Sequence, residues 1–253
     1  DTRAGTQLAA AGSDNPGTTR PPPCAVEPRA PAGATLGIVG PTGGGKTTLL
    51  GLIGRLHDAT EGVVTLDGIG VRNLRLEELR GVLSYVPQDS FLFSDTYRNN
   101  LLFGADEHLE DEELLALVET ACMSEEVAAF PDGLDELIGE RGVTLSGGQR
   151  QRTCIARALA RDARVLILDD CLSAVDTETE QVLLKGLRAA GHARTVLVAA
   201  HRISTVAHAD EVLVLSAEGT VADRGTHAEL SARPGWYQET WQRQQVEEAL
   251  EEL

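Results

Sequence analysis

The chain contains only two lysines, Lys46 and Lys185, and no aromatic residue before Tyr85. It has no apolar run approaching the ~18 to 20 residues needed to cross a bilayer. That absence leads to the expectation that the chain by itself is soluble and that any membrane part is elsewhere. The N-terminus lacks a basic stretch followed by an apolar one, so no secretion signal is expected. Four cysteines, Cys24, Cys122, Cys154 and Cys171, are dispersed with no C-x-x-C and no paired histidines. This argues against a zinc site or disulfide framework and fits a reducing cytosol, with Cys154 and Cys171 packing as small apolar residues. With aromatics at 4%, the core of the first third must be aliphatic. Positive charge is also scarce: 22 Lys and Arg stand against 39 Asp and Glu, a formal net charge of −17. Such a surface repels phosphate backbones, so a nucleic-acid partner is excluded from the expectations. A nucleotide is not excluded, because a local loop of backbone N–H groups with one lysine binds phosphate on an acidic protein.

At 253 residues the chain suits one large domain or a domain with a subdomain. Residues 1–33, rich in Ala, Gly, Thr and Pro with no periodic apolar face, read as linker. From Thr35 the texture changes. Apolar strands are expected at Thr35–Val39, Val63–Leu66, Val82–Val86, Val165–Leu168, Thr195–Ala199 and Glu211–Leu215. Helices are expected at Lys46–Arg55, from Asp111 through Ala121, from Ser146 through Ala160, and over Thr177–Ala190. Trp236 onward reads as a closing helix with an acidic, solvated tail. Short apolar strands alternating with helices imply an α/β fold with a mainly parallel sheet covered on both faces. The division expected is a core over 34–89 and 162–235, an inserted helical subdomain over 90–161, and the closing helix over 236–253.

Two segments carry phosphate chemistry. Gly40-Pro41-Thr42-Gly43-Gly44-Gly45-Lys46-Thr47-Thr48 fits G-x-x-x-x-G-K-[ST] between a strand and a helix. The glycines let N–H groups turn inward around phosphates, Lys46 reaches the β and γ oxygens, and the Thr47 hydroxyl ligates Mg²⁺. Val165 to Asp169 is an apolar strand ending in a carboxylate, which places Asp169 at the ligand-binding edge of the sheet to hold Mg²⁺. Together they describe a P-loop ATPase. Leu145-Ser146-Gly147-Gly148-Gln149 then opens another helix, and a helix N-terminus is a second anion site. One chain needs only one γ-phosphate cradle, so the second points to a partner's nucleotide.

The two loops in this order resemble the ATPase domain of ATP-binding cassette (ABC) transporters, a P-loop NTPase fold with an inserted helical signature subdomain. The resemblance covers about residues 31–248. It implies ATP and Mg²⁺ as cofactors and head-to-tail pairing with a second ABC ATPase domain. Ser146, Gly147, Gly148 and Gln149 of one chain then close over the other's ATP. Tyr85-Val86-Pro87-Gln88 looks like the Q-loop, with Gln88 sensing Mg²⁺ and the attacking water. Ser173-Ala174-Val175-Asp176 looks like the D-loop at the dimer interface, and His201 like the switch histidine at the γ-phosphate. Ile138 to Gly142, Gly225 to Leu230 and Trp236-Tyr237 resemble the exporter branch. Transmembrane domains, on the same longer chain or a separate subunit, and a place at the cytoplasmic face of the cell membrane are further implications.

The sequence departs from that family twice. Its catalytic base is a glutamate directly after the Mg²⁺ aspartate; here the pair is Asp169-Asp170. One methylene fewer withdraws the carboxylate by about 1 Å, and such a misplacement can lower a rate on the order of 10²-fold. The family also stacks adenine on an upstream aromatic, and none precedes Tyr85. By analogy with base stacking at about 1 to 3 kcal/mol, nucleotide affinity should fall roughly tenfold to a hundredfold. Both departures resemble the degenerate half of a heterodimeric exporter, with a non-identical partner carrying the glutamate. A non-hydrolytic regulatory ATP-binding module and an importer subunit remain open as alternatives.

Overall fold

Five consecutive residues, Thr35–Val39, form a strand whose last four residues are buried, as suits a run without charge. The computed structural model describes residues 6–7, 29–105, 109–139, 145–189 and 194–251. It separates into two units, Asp1–Leu83 with Ala193–Leu253, and Ser84–His192.

The first unit begins with β1 (Thr6–Gln7) and β2 (Arg29–Ala30), paired antiparallel within the stretch read as linker. The strand β3 (Thr35–Val39) leads through the glycine loop into α1 (Lys46–Ile53). The hairpin β4 (Thr65–Leu66) and β5 (Ile69–Gly70) turns at Asp67 and Gly68, both with positive φ (54° and 79°), as a two-residue turn requires. A short helix, α2 (Leu76–Gly81), follows. The unit resumes after the second one with β8 (Thr195–Ala199), α8 (Ile203–Val206), β9 (Glu211–Leu215), β10 (Val221–Gly225), α9 (His227–Ala232) and α10 (Trp236–Glu251). Its strands lie in the order β10-β9-β3-β8. β3 runs parallel to both β8 and β9, while β10 closes one edge antiparallel. Leu36, Ile38, Leu50, Ile53, Leu197 and Val212 are almost fully buried, giving the aliphatic core that the lack of early aromatics demands.

The second unit takes all of β6 (Leu83–Val86) but its first residue, followed by α3 (Tyr97–Leu102), α4 (Asp111–Thr120), α5 (Ser124–Ala129), α6 (Gly147–Ala160), β7 (Val165–Asp169) and α7 (Thr177–Ala189). β6 and β7 are neighbours. α4 starts with Asp111, Glu112 and Glu113, acids that favour a helix N-terminus. α3 and α4 pack on α6, whose Ile155 and Leu159 are buried with Leu101, Leu114 and Val118. Cys154 and Cys171 are buried here. Burial pushes both thiols up in pKa, so they stay protonated and behave as small apolar groups.

Candidate functional site

The phosphate loop belongs to the first unit. Gly40 (φ 152°), Gly43 (φ 81°) and Gly45 (φ 87°) all take positive φ, which L side chains rarely adopt. A Cβ at Gly40 would stand 2.5 Å from the Leu215 carbonyl, so the loop could not leave β3 along this path with any other residue. Among the described residues nothing lies within 4 Å of the Cβ positions of Gly43 or Gly45, leaving that side of the backbone open to them. Lys46 is 7% exposed, and its ammonium donates to the carbonyls of Gly40 (2.8 Å) and Pro41 (3.2 Å). The cation is thus folded back over the loop that precedes it. Thr42 and Thr47 are exposed, and Thr48 is half-buried. The first turn of α1 carries no acid, so the positive end of the helix keeps its affinity for an anion. An open glycine turn under one buried ammonium fits the phosphates of a nucleotide.

His201 also lies in the first unit, exposed, just after β8. Its loop is held from α10: Gln244 donates to the His201 carbonyl (3.0 Å) and accepts from the Ile203 N–H (2.8 Å). Nothing in the sequence pattern flags Gln244, because the pairing joins residues more than 40 positions apart.

In the second unit the two acids end β7. Asp169 is 2% exposed and Asp170 9%. The Tyr85 hydroxyl donates to Asp169 Oδ2 at 2.7 Å, and the Gln88 amide donates to Asp170 Oδ2 at 3.0 Å. Each acid is therefore met by a residue from the end of β6. Burial, then the bond to Asp169, raises the Tyr85 hydroxyl far above its usual range, so it remains a donor. Asp170 has φ 47°, a left-handed conformation that Asp tolerates better than most residues. A buried carboxylate at a strand end suits Mg²⁺, a hard cation that takes oxygen ligands.

Ser146 is the N-cap of α6. Its Oγ accepts from the Gln149 N–H (3.2 Å), while Gln149 Oε1 accepts from the Ser146 N–H (2.9 Å), a reciprocal capping box. Gly148 permits a close approach: a Cβ there would lie 2.7 Å from the Ala174 carbonyl. Buried Gln151 fastens the same loop to the helix, donating to Ser173 Oγ (3.2 Å) and accepting from the Ala174 N–H (3.0 Å). Asp176 accepts from the Thr179 N–H at 2.9 Å and so caps α7; that bond holds its carboxyl below the usual range. Thus the structure brings Gln88 to Asp170, and Gly147 and Gly148 to the loop ending in Asp176. The phosphate loop and His201 lie in the other unit.

The sequence pattern places Tyr85 in the Q-loop segment but assigns it no role, and it assigns none to Gln151 or Gln244. It also missed an aromatic group in which Phe93 meets Phe91 (5.0 Å between centroids) and Phe103 (4.3 Å), with Arg157 over two of the rings. Phe91 and Phe103 are about half exposed, and their spacing in sequence gives no periodic signal. Of the segment Ile138 to Gly142, the residues Glu140, Arg141 and Gly142 lie outside the described residues.

The sequence profile of the ABC transporter family matches residues 25–173. A probable multidrug resistance ABC transporter ATP-binding/permease protein of Bacillus subtilis (strain 168) is 44% identical over 214 residues, covering 85% of this chain and 36% of that protein. An ATP-dependent lipid A-core flippase of Cupriavidus pinatubonensis is 43% identical over 221 residues, 87% of this chain and 37% of its own length. The chain thus spans about a third of the length of these curated relatives. Among solved structures, a bacterial Atm1-family ABC exporter with ATP bound superimposes with a TM-score of 0.86 at 38% identity, over 95% of this chain and 42% of that one. By the family profile, these identities and the shared fold, the chain belongs to the ABC transporter family, within which it corresponds to the ATPase domain of exporters.

Proposed function

We propose that the chain binds ATP with Mg²⁺ and powers export of a substrate by pairing head to tail with a second, non-identical ABC ATPase domain. Its work is done against transmembrane domains at the cytoplasmic face of a membrane. The reading divides it into a P-loop core over 34–89 and 162–235, a signature subdomain over 90–161 and a closing helix. The observation that carries the proposal is the open glycine turn under the buried Lys46 ammonium.

In this reading the N–H groups of Gly43, Gly44, Gly45, Lys46, Thr47 and Thr48 cradle phosphates, and Lys46 exchanges its bonds to the Gly40 and Pro41 carbonyls for phosphate oxygens. Thr47, Asp169 and Gln88 would hold Mg²⁺, which when bound would supply positive charge against the phosphates. Asp170 orients water as a short, weak base, and His201 contacts the γ-phosphate. Ser146, Gly147, Gly148 and Gln149, with Asp176 nearby, complete the partner's nucleotide site rather than this chain's own. The missing upstream aromatic weakens the grip on adenine, and hydrolysis at this chain's site is slow.

The test is ATP affinity of Lys46→Ala, measured by equilibrium binding. Hydrogen bonds to charged groups contribute about 1.5 to 3 kcal/mol, so a loss of roughly 10- to 150-fold is expected. Undiminished affinity in a variant that still folds overturns the nucleotide reading.

A further inference from the structure

The carboxylate of Asp169 ends a buried strand, and its χ2 is a soft, roughly two-fold torsion that packing alone fixes poorly. A contact from outside the strand bears on that torsion. The Tyr85 hydroxyl reaches across from neighbouring β6 and donates to Oδ2 at 2.7 Å, the length of a bond to a charged acceptor. The phenol is a rigid arm, half-buried, entering from a residue three positions ahead of Gln88. Gln88 does for Asp170 what Tyr85 does for Asp169, so the end of β6 holds both acids of β7 in place. We infer that Tyr85 is a positioning residue for Mg²⁺: it fixes one oxygen of Asp169, and hence the plane in which that carboxylate meets the cation.

This rests on the reading of Asp169 as the Mg²⁺ residue. Removing the hydroxyl leaves the ring and its packing but takes away the bond that holds Oδ2. Groups that orient a metal's ligands typically change metal affinity by about 10- to 100-fold. The effect belongs to the metal, so nucleotide affinity without Mg²⁺ should hardly move. Tyr97 serves as a control. It is buried in the same unit, its hydroxyl lies 3.4 Å from Thr153 Oγ1, and it touches neither acid in the described contacts.

The experiment measures displacement of a fluorescent ATP analogue by ATP, in EDTA and across a Mg²⁺ titration, for the wild type, Tyr85→Phe, Tyr97→Phe, Asp169→Asn and the Asp169→Asn/Tyr85→Phe pair. Expected for Tyr85→Phe is a half-saturating Mg²⁺ concentration raised about tenfold with EDTA affinity unchanged. Tyr97→Phe matches the wild type, and the double variant moves no further than Asp169→Asn, as coupled neighbours should. An unshifted Mg²⁺ titration in Tyr85→Phe overturns the inference, as does an equal shift in Tyr97→Phe or an additive double variant. If Asp169→Asn itself leaves the Mg²⁺ titration unmoved, the role of Asp169 falls and Tyr85's falls with it.

Discussion

At Asp170 two physical demands meet on one residue. Its backbone takes φ 47°, where Asp and Asn are favoured over longer side chains, and its carboxylate accepts from Gln88 at 3.0 Å. Lengthening it to glutamate therefore trades backbone comfort for reach. The strain of a non-glycine residue in this region is on the order of 1 kcal/mol, and Asp already bears part of it, so Asp170→Glu should lower stability only slightly. The reach matters far more, because a ~1 Å change in placement can alter a rate on the order of 10²-fold. Asp170→Glu is thus expected to raise ATP turnover at least tenfold while the denaturation midpoint barely moves, with phosphate release and a urea titration as the two measurements. Turnover unchanged despite intact ATP binding would favour a regulatory module over a weakened ATPase. The sequence alone exposed Asp170 because it is a local change of residue type in a fixed pattern. It could not expose Tyr85 or Gln244, whose partners lie 84 and 43 positions away and come into range only through folding.

Helices and strands read from local pattern where burial is one-sided or complete, and fail where it is neither. β8 and β9 match the expected Thr195–Ala199 and Glu211–Leu215 because buried parallel strands are continuous apolar runs. β10 was missed because Val221–Gly225 holds Asp223, Arg224 and a glycine at an edge, with no side chain fully buried. The short helices α2 and α9 are too brief for a periodic signal, although Thr226 and Glu229 form a capping box. The closing helix expected from Trp236 runs through Glu251, into the acidic tail expected at Glu247 to Glu252. α9 and α10 meet through His227, whose Nδ1 lies 2.8 Å from the Tyr237 hydroxyl and whose ring stands edge-on to Trp241. Burial, and then the charge of His208, lower the His227 pKa below its usual 6.5. The unfolded chain then binds this proton first as pH falls. The contribution to stability is complete above about 6.5 and is lost as pH drops through the lower, folded value. Melting temperature should fall between pH 7 and 5, and less steeply in His227→Gln; identical slopes would remove His227 as the cause.

For the molecule as a whole, charge limits what the nucleotide can do. A chain at −17 meeting a second copy of itself brings two strongly like-charged surfaces together, whereas a less acidic partner meets little opposition. This chain spans about a third of its relatives' length, and no helix among the described residues is long and apolar enough to cross a membrane. Salt separates the two cases. Screening acts over about 30 Å at 0.01 M salt and about 8 Å at 0.15 M, so self-repulsion is strong in the first and weak in the second. If the natural partner is non-identical, nothing has selected this chain to overcome its own field. In MgATP it should then sediment as a monomer near 0.01 M salt and associate only weakly near 0.15 M. Lys46→Ala should abolish even that weak association if, as proposed, closure depends on bound phosphate. Analytical ultracentrifugation across that salt range, with and without MgATP, decides the matter. A tight MgATP-dependent dimer of this chain alone at the lowest salt would mean that the signature helix at Ser146 has its own copy as partner, and the heterodimer proposal would have to be given up.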